Sequence, residues 1–168
     1  PVHGLGVDLA LDLGDVDQLR GATLLPRPQR SGGPRILIGG NGVKRTLSYV
    51  VRYAEEWNCV MLTPGRFTEM NARLDGMLSE AGRKPESVRR SMMTGCVFGK
   101  DGATLSAKIS ARGRSLEQLQ QSGMVAGDLS AVKKQLQELE QAGLQRIMLQ
   151  WLDLDDLESL EVLAKGVL

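Results

Sequence analysis

The chain has 168 residues, 42% of them apolar, with 21 basic against 20 acidic side chains for a net charge of +1. That is enough material for a single buried core. The near-neutral balance, with only two Trp, two Tyr and two Phe, provides neither a basic stripe nor an aromatic stacking platform, which excludes nucleic acid as a partner.

Residues 1–17 carry no clear period, and Gly4, Gly6 and Gly14 weaken any helix or strand there, so this leading segment stays unassigned. Residues 18–33, punctuated by Pro26, Pro28, Gly32 and Gly33, read as an extended lead-in. Ile36, Leu37 and Ile38 are too few and too β-branched to start a helix and predict a short strand buried on both faces. After Gly39, Gly40 and Gly42, the apolar positions Val43, Leu47, Val50, Val51 and Ala54 recur at helical spacing.

A second strand is expected over residues 57–62. Thr63-Pro64-Gly65 then opens a helix with Phe67, Met70, Leu74, Met77, Leu78 and Ala81 on one stripe and Gly82 as its stop. Residues 91–98 predict a third strand, and 101–109 and 116–121 short helices around Gly113. Asp128 is placed to cap a helix over 129–142 that ends at Gly143. A fourth strand over 146–151 and a closing helix over 154–164, with Leu157, Leu160 and Leu163 inward, complete four βα units. Strands alternating with helices predict an α/β fold with a parallel sheet.

Cys59 and Cys96 lie in apolar strand-like runs and read as small buried hydrophobes. His3 is the only histidine, so neither a zinc site nor a Ser-His-Asp triad has material to be built from. No metal is expected. Without an apolar run of ~18 residues or a charged-then-apolar leader, no membrane contact is expected and the protein is expected to be cytoplasmic.

The most informative stretch is the strand, glycine turn and helix of residues 35–54. Gly39, Gly40 and Gly42 allow positive φ and let a ligand approach main-chain N–H groups that no Cβ screens. The turn also faces the positive end of the following helix dipole, so amides and dipole converge on one spot suited to phosphate. Lys44 and Arg45 in the first turn oppose that dipole by roughly 0.3–1 kcal/mol each unless an anion sits there. Asp153, Asp155, Asp156 and Glu158 instead complement the last helix and would repel a phosphate at that end of the chain. A dinucleotide fingerprint would want an acid about twenty residues on, to hold the ribose, and residues 58–62 contain none.

The run Ile-Leu-Ile-Gly-Gly-Asn-Gly-Val-Lys-Arg-Thr-Leu from Ile36, followed by Ala54-Glu-Glu-Trp-Asn58, resembles the luciferase-like monooxygenase superfamily, in particular its deazaflavin-dependent (coenzyme F420) branch. Gln18-Leu-Arg-Gly-Ala, Ala81-Gly-Arg-Lys-Pro85, Val125-Ala-Gly-Asp-Leu-Ser-Ala-Val132 and Ala142-Gly-Leu-Gln-Arg-Ile-Met-Leu-Gln150 are similar to further family segments in the same order. The resemblance spans residues 18–168. It implies a (β/α)8 TIM barrel, of which four units are the C-terminal half. It also implies that Gly39, Gly40, Asn41 and Gly42 contact the phosphate of F420, or alternatively FMN, with Lys44 and Arg45 beside them.

The implied activity is that of a flavin- or deazaflavin-dependent oxidoreductase or monooxygenase acting on a small organic substrate. The family's proton donors and ring-binding residues come mainly from the first half of its barrel, so no catalytic residue is assigned here. Trp57, Asn58, Gln150 and Trp151 fall near strand ends, where they either line a ring pocket or fill the barrel. A half-barrel left open is expected to form a homo-oligomer or to pair with an N-terminal half. The alternative is a non-catalytic assembly module built on the same half-barrel.

Overall fold

The computed structural model describes Leu25, Pro26 and residues 29–167. It divides into a lead-in ending at Pro34 and a larger unit from Arg35. Within the lead-in, the Gly33 N–H donates to the Arg30 carbonyl at 3.1 Å and closes a turn. The expectations for residues 1–17, His3 among them, and for most of the stretch 18–33 lie outside the described residues.

In the larger unit the elements run β1 (Leu37–Gly39), α1 (Thr46–Tyr53), β2 (Glu56–Val60), α2 (Pro64–Glu80), a 3-10 turn (Pro85–Ser87), β3 (Arg89–Phe98), α3 (Gly102–Ala111), α4 (Leu116–Gln121), β4 (Val125–Gly127), α5 (Leu129–Gln141), β5 (Arg146–Trp151) and α6 (Leu157–Val167). Local chemistry sets the helix ends. Pro64 occupies the first turn of α2, and Gly82 follows that helix at φ +71°, where a Cβ would be strained. The Asp128 carboxylate caps α5 by accepting from the Ala131 N–H at 2.8 Å. Ser115 and Gln118 form a reciprocal capping box on α4.

All pairings in the five-stranded sheet are parallel, in the order β1-β2-β3-β4 with β5 also on β3. Ser91, Met92 and Met93 pair with both β2 and β5, so those strands flank β3 on opposite edges. Cys96 pairs with both Val125 and Trp151, which puts β4 on the β2 side, beyond the point where β2 ends. Side by side, the sheet is therefore four strands wide among the described residues. The three-residue β4 is a fifth strand that the sequence did not predict; its alanine and glycine carry no alternating apolar signal.

Helices α1, α2, α5 and α6 pack in that order on one face of the sheet. Ile38, Trp57, Cys59, Met92, Cys96, Phe98, Ile147, Leu149 and Trp151 point into the layer beneath them. Trp57, Phe67, Leu74 and Leu78 are fully buried there, each worth about 1.5–3 kcal/mol of transfer free energy. A smaller cluster of Val97, Leu119 and Ala126 seats α4 against the far ends of β3 and β4. Both cysteines are free and buried.

The opposite face of the sheet is covered by no helix of that layer. In register across it lie Gly39, Asn58, Ser91 and Arg146, and then Val60, Met93 and Met148. Two sequence expectations need correction here. Ile36 and Leu37, expected to be buried on both faces, are about half exposed, because among the described residues β1 is an edge strand and only Ile38 turns toward the helices. Leu157, expected inward, is 64% exposed, since α6 begins at that residue and its buried stripe starts with Ser159 and Leu163.

Candidate functional site

The glycine turn sits where β1 ends and α1 begins. Gly40 takes φ +115°, a region an L side chain rarely adopts. Its N–H donates to the Asn58 carbonyl at 2.9 Å, and its carbonyl accepts the Trp57 indole N–H at 2.9 Å. The Gly40 amide is therefore committed to β2, not open to a ligand as the sequence suggested. Asn41 turns its carboxamide onto Val60, donating to the carbonyl at 2.7 Å and accepting the N–H at 2.9 Å. Both bonds mimic a further step of parallel ladder and hold the bend against the end of β2.

Beyond this clamp, the amides of residues 41–45 donate to no protein oxygen among the described residues. The Gly42 carbonyl accepts from the Leu47 N–H at 3.1 Å, so the chain enters α1 through a wide turn. A Cβ on Gly42 would lie 2.7 Å from Thr46 Oγ1, so only glycine lets the bend pass this close to the Thr46 side chain. Arg45 occupies the N-cap position in helical conformation with no side-chain cap, and the first turn of α1 holds no acid. Lys44 and Arg45 are exposed, and neither has an ion pair among the described residues.

The far end of the sheet is arranged in the opposite sense. Asp156 caps α6 by accepting from the Ser159 N–H at 3.0 Å, and Glu158 follows in its first turn. Lys108 ties the same corner together, reaching Asp156 at 2.7 Å, Asp153 at 3.3 Å and the Phe98 carbonyl at 2.8 Å. The hydrogen bond from Lys108, reinforced by Ser159, holds the Asp156 carboxyl well below the usual carboxylate range. An anion meets fixed carboxylates here and bare amides at the glycine turn.

Trp57 is fully buried and stacks on Phe67 with ring centroids 6.0 Å apart, while Trp151 faces the helices and carries the Lys108 ammonium 4.5 Å over its ring. Both tryptophans fill structure. Asn58 and Gln150 lie on the face turned away from α1, α2, α5 and α6, where Gln150 is exposed but Asn58 is buried, donating to the buried Ser91 hydroxyl at 3.0 Å. Sequence reasoning missed Thr46, whose hydroxyl lies inside the turn, and the Trp57 indole that fixes Gly40. A hydroxyl residue at the first helical position was the available signal for Thr46. Among the described residues, no group of three His, Cys, Asp or Glu side chains could hold a metal ion. No described helix is long and apolar enough to cross a membrane.

Helices layered on one face of a parallel sheet, with a glycine turn opening at a strand's C-terminal end, define an α/β architecture of the barrel type that grips ligands by its βα loops. Residues 13–163 match the luciferase-like monooxygenase family, and the chain belongs to it. No protein of curated function matches the sequence. Among solved structures, the fold is similar to an F420-dependent secondary alcohol dehydrogenase in complex with an F420-acetone adduct (TM-score 0.66, 15% identity, covering 92% of this chain and 55% of that one). It is also similar to the coenzyme F420 dependent tetrahydromethanopterin reductase of Methanopyrus kandleri (0.59, 17%, 78% and 49%). The EDTA monooxygenase of Chelativorans sp. BNC1 is a third (0.62, 14%, 92% and 49%). The chain spans about half the length of each, so its sheet corresponds to part of their fold.

Proposed function

We propose that this chain is the C-terminal, phosphate-holding half of a (β/α)8 oxidoreductase that uses F420, or alternatively FMN, on a small organic substrate. The observation that carries the reading is the turn at residues 39–45: amides and two cations that have no protein partner among the described residues meet an acid-free helix N-terminus, with the Thr46 hydroxyl held close against Gly42. A phosphate fits this donor set. The amides of residues 41–45 and the cations of Lys44 and Arg45 would hold it, and the Thr46 hydroxyl is a further donor. Gly39 and Gly40 shape the bend, and the Asn41 side chain anchors it.

The cofactor, when bound, supplies the hydride or oxygen chemistry. This chain's residues bind and orient: the turn fixes one end, and on the sheet face turned away from α1, α2, α5 and α6 the half-buried Met93 and Met148 and the exposed Gln150 offer a mixed polar and thioether wall. Titrating F420, FMN and inorganic phosphate against the chain tests the assignment, with Gly42→Val driving a side chain against Thr46 inside the turn. The proposal expects the variant to lose binding of all three. Equal binding by both forms removes the site.

A further inference from the structure

Met61 is the one residue other than glycine with a positive φ among the described residues, at +49°. Glycine, asparagine and aspartate take that conformation readily, whereas a long apolar residue takes it only where the surroundings impose it. Here they do. The Met61 N–H donates to the Met93 carbonyl at 3.0 Å, and the next amide, that of Leu62, donates to the buried Met92 sulfur at 3.4 Å. The Met61 carbonyl lies so close to Gly123 that a Cβ on that glycine would come within 2.2 Å of the oxygen. In turn, the buried Thr94 hydroxyl holds the Gly123 carbonyl at 2.7 Å.

The fold therefore fixes the backbone of residue 61 but makes little use of its side chain, which is 37% exposed and belongs to neither apolar cluster. A glycine or an asparagine would meet the same backbone demand at lower cost. Strain that the surroundings enforce, at a residue whose flexible thioether is left facing water, marks a position kept for contact with something else.

Its place in the fold says with what. Because β1 and β2 are parallel neighbours, the glycine turn after β1 and residues 61–63 after β2 are adjacent βα connections at the C-terminal end of the sheet, where this architecture grips ligands. The two connections are tied together, since the Asn41 carboxamide bonds both the N–H and the carbonyl of Val60, the residue before Met61. We infer that the Met61 thioether is the apolar contact for the uncharged, planar ring end of the phosphate-bearing cofactor, the turn holding the anion and Met61 the remainder. The inference rests on the cofactor reading of the proposed function, in its ring part and not its phosphate part.

Calorimetric titration with riboflavin, which carries the ring without the phosphate, tests it. Met61→Gly and Met61→Asn both suit the left-handed backbone, so each is expected to unfold at about the wild-type urea concentration or above, yet to bind riboflavin about tenfold more weakly. Met61→Leu restores apolar bulk and is expected to recover most of the affinity, while inorganic phosphate is expected to bind all four forms alike. Unchanged riboflavin affinity in Met61→Gly overturns the inference, as does a wild type that binds no riboflavin. So does a lower unfolding midpoint in both Met61→Gly and Met61→Asn, which would make the side chain part of the packing, or a matching loss of phosphate, which would make it act through the turn. Met61-dependent binding of riboflavin by a chain that takes up no phosphate would support the ring contact while removing the phosphate site, so the two failures are distinguishable.

Discussion

The Asn41 carboxamide takes both hydrogen bonds of the Val60 peptide, donating to its carbonyl at 2.7 Å and accepting its N–H at 2.9 Å. That single side chain joins the glycine turn to the end of β2 and fixes where the free amides beyond it point. Asn41→Ala removes both bonds and is expected to cost about 1–2 kcal/mol in urea unfolding, since an ordinary hydrogen bond nets about 1 kcal/mol. Asn41→Asp keeps only the acceptor and should fall between.

Trp57 secures the other side of the bend through its indole N–H to the Gly40 carbonyl. Trp57→Phe keeps an aromatic against Phe67 but leaves that carbonyl without its donor; a loss of about 1–3 kcal/mol is expected, with faster amide exchange across residues 39–42. Trp57→Ala also opens a core cavity and is expected to cost about 3–5 kcal/mol. An unchanged stability for Trp57→Phe would mean the indole N–H contributes nothing.

At the start of β3, in register with Trp57, Arg90 is 5% exposed and gathers α2 and the turn before β3. Its Nε donates to Asn71 at 2.8 Å and its Nη1 to the Pro85 carbonyl at 3.0 Å, with further bonds to the Val88 carbonyl and the Asp75 carboxylate. Removing one partner of such a network leaves buried acceptors unmet. Arg90→Ala is expected to cost about 3 kcal/mol, at the lower end for a buried charge because the Asp75 side chain still reaches water. Chemical denaturation measures it directly.

Burial pushes the Cys59 thiol up to about 12 and the Cys96 thiol up to about 11, from an ordinary value of about 9. The folded chain therefore retains protons that the unfolded chain gives up. Stability from these two sites is whole below pH 9 and declines as pH rises from about 9 through 11 to 12. Cys59→Ala is expected to flatten that alkaline decline, and a thiol reagent at pH 8 should label neither cysteine until the chain unfolds. Rapid labelling of native protein would contradict the burial.

Much of this fold was legible in the sequence where apolar periodicity and punctuation agreed. The stripe from Phe67 to Leu78 bounded by Pro64 and Gly82, and the α5 cap at Asp128, are cases in which one local rule determines the outcome. Tertiary context overrode the local signal elsewhere. Ile36 and Leu37 look like a core strand, yet their burial depends on neighbours outside β1, and the chain places that strand at an edge. The short β4 was hidden because backbone pairing with β3, not side-chain pattern, creates it.

The candidate site was half legible. Glycine spacing pointed to the bend at Gly40 and to the close approach at Gly42. Which amides remain free depends on the cross-strand partners Asn58 and Val60, and a linear sequence does not display those pairings.

The most direct test of the phosphate assignment is calorimetric titration of the chain with FMN and with riboflavin, which differ only by the phosphate. Charge-assisted bonds of about 1.5–3 kcal/mol predict that FMN binds at least about tenfold more tightly, and that Lys44→Ala/Arg45→Ala together with Gly42→Val erases the difference. Equal affinities for the two ligands in the wild-type chain would contradict the account.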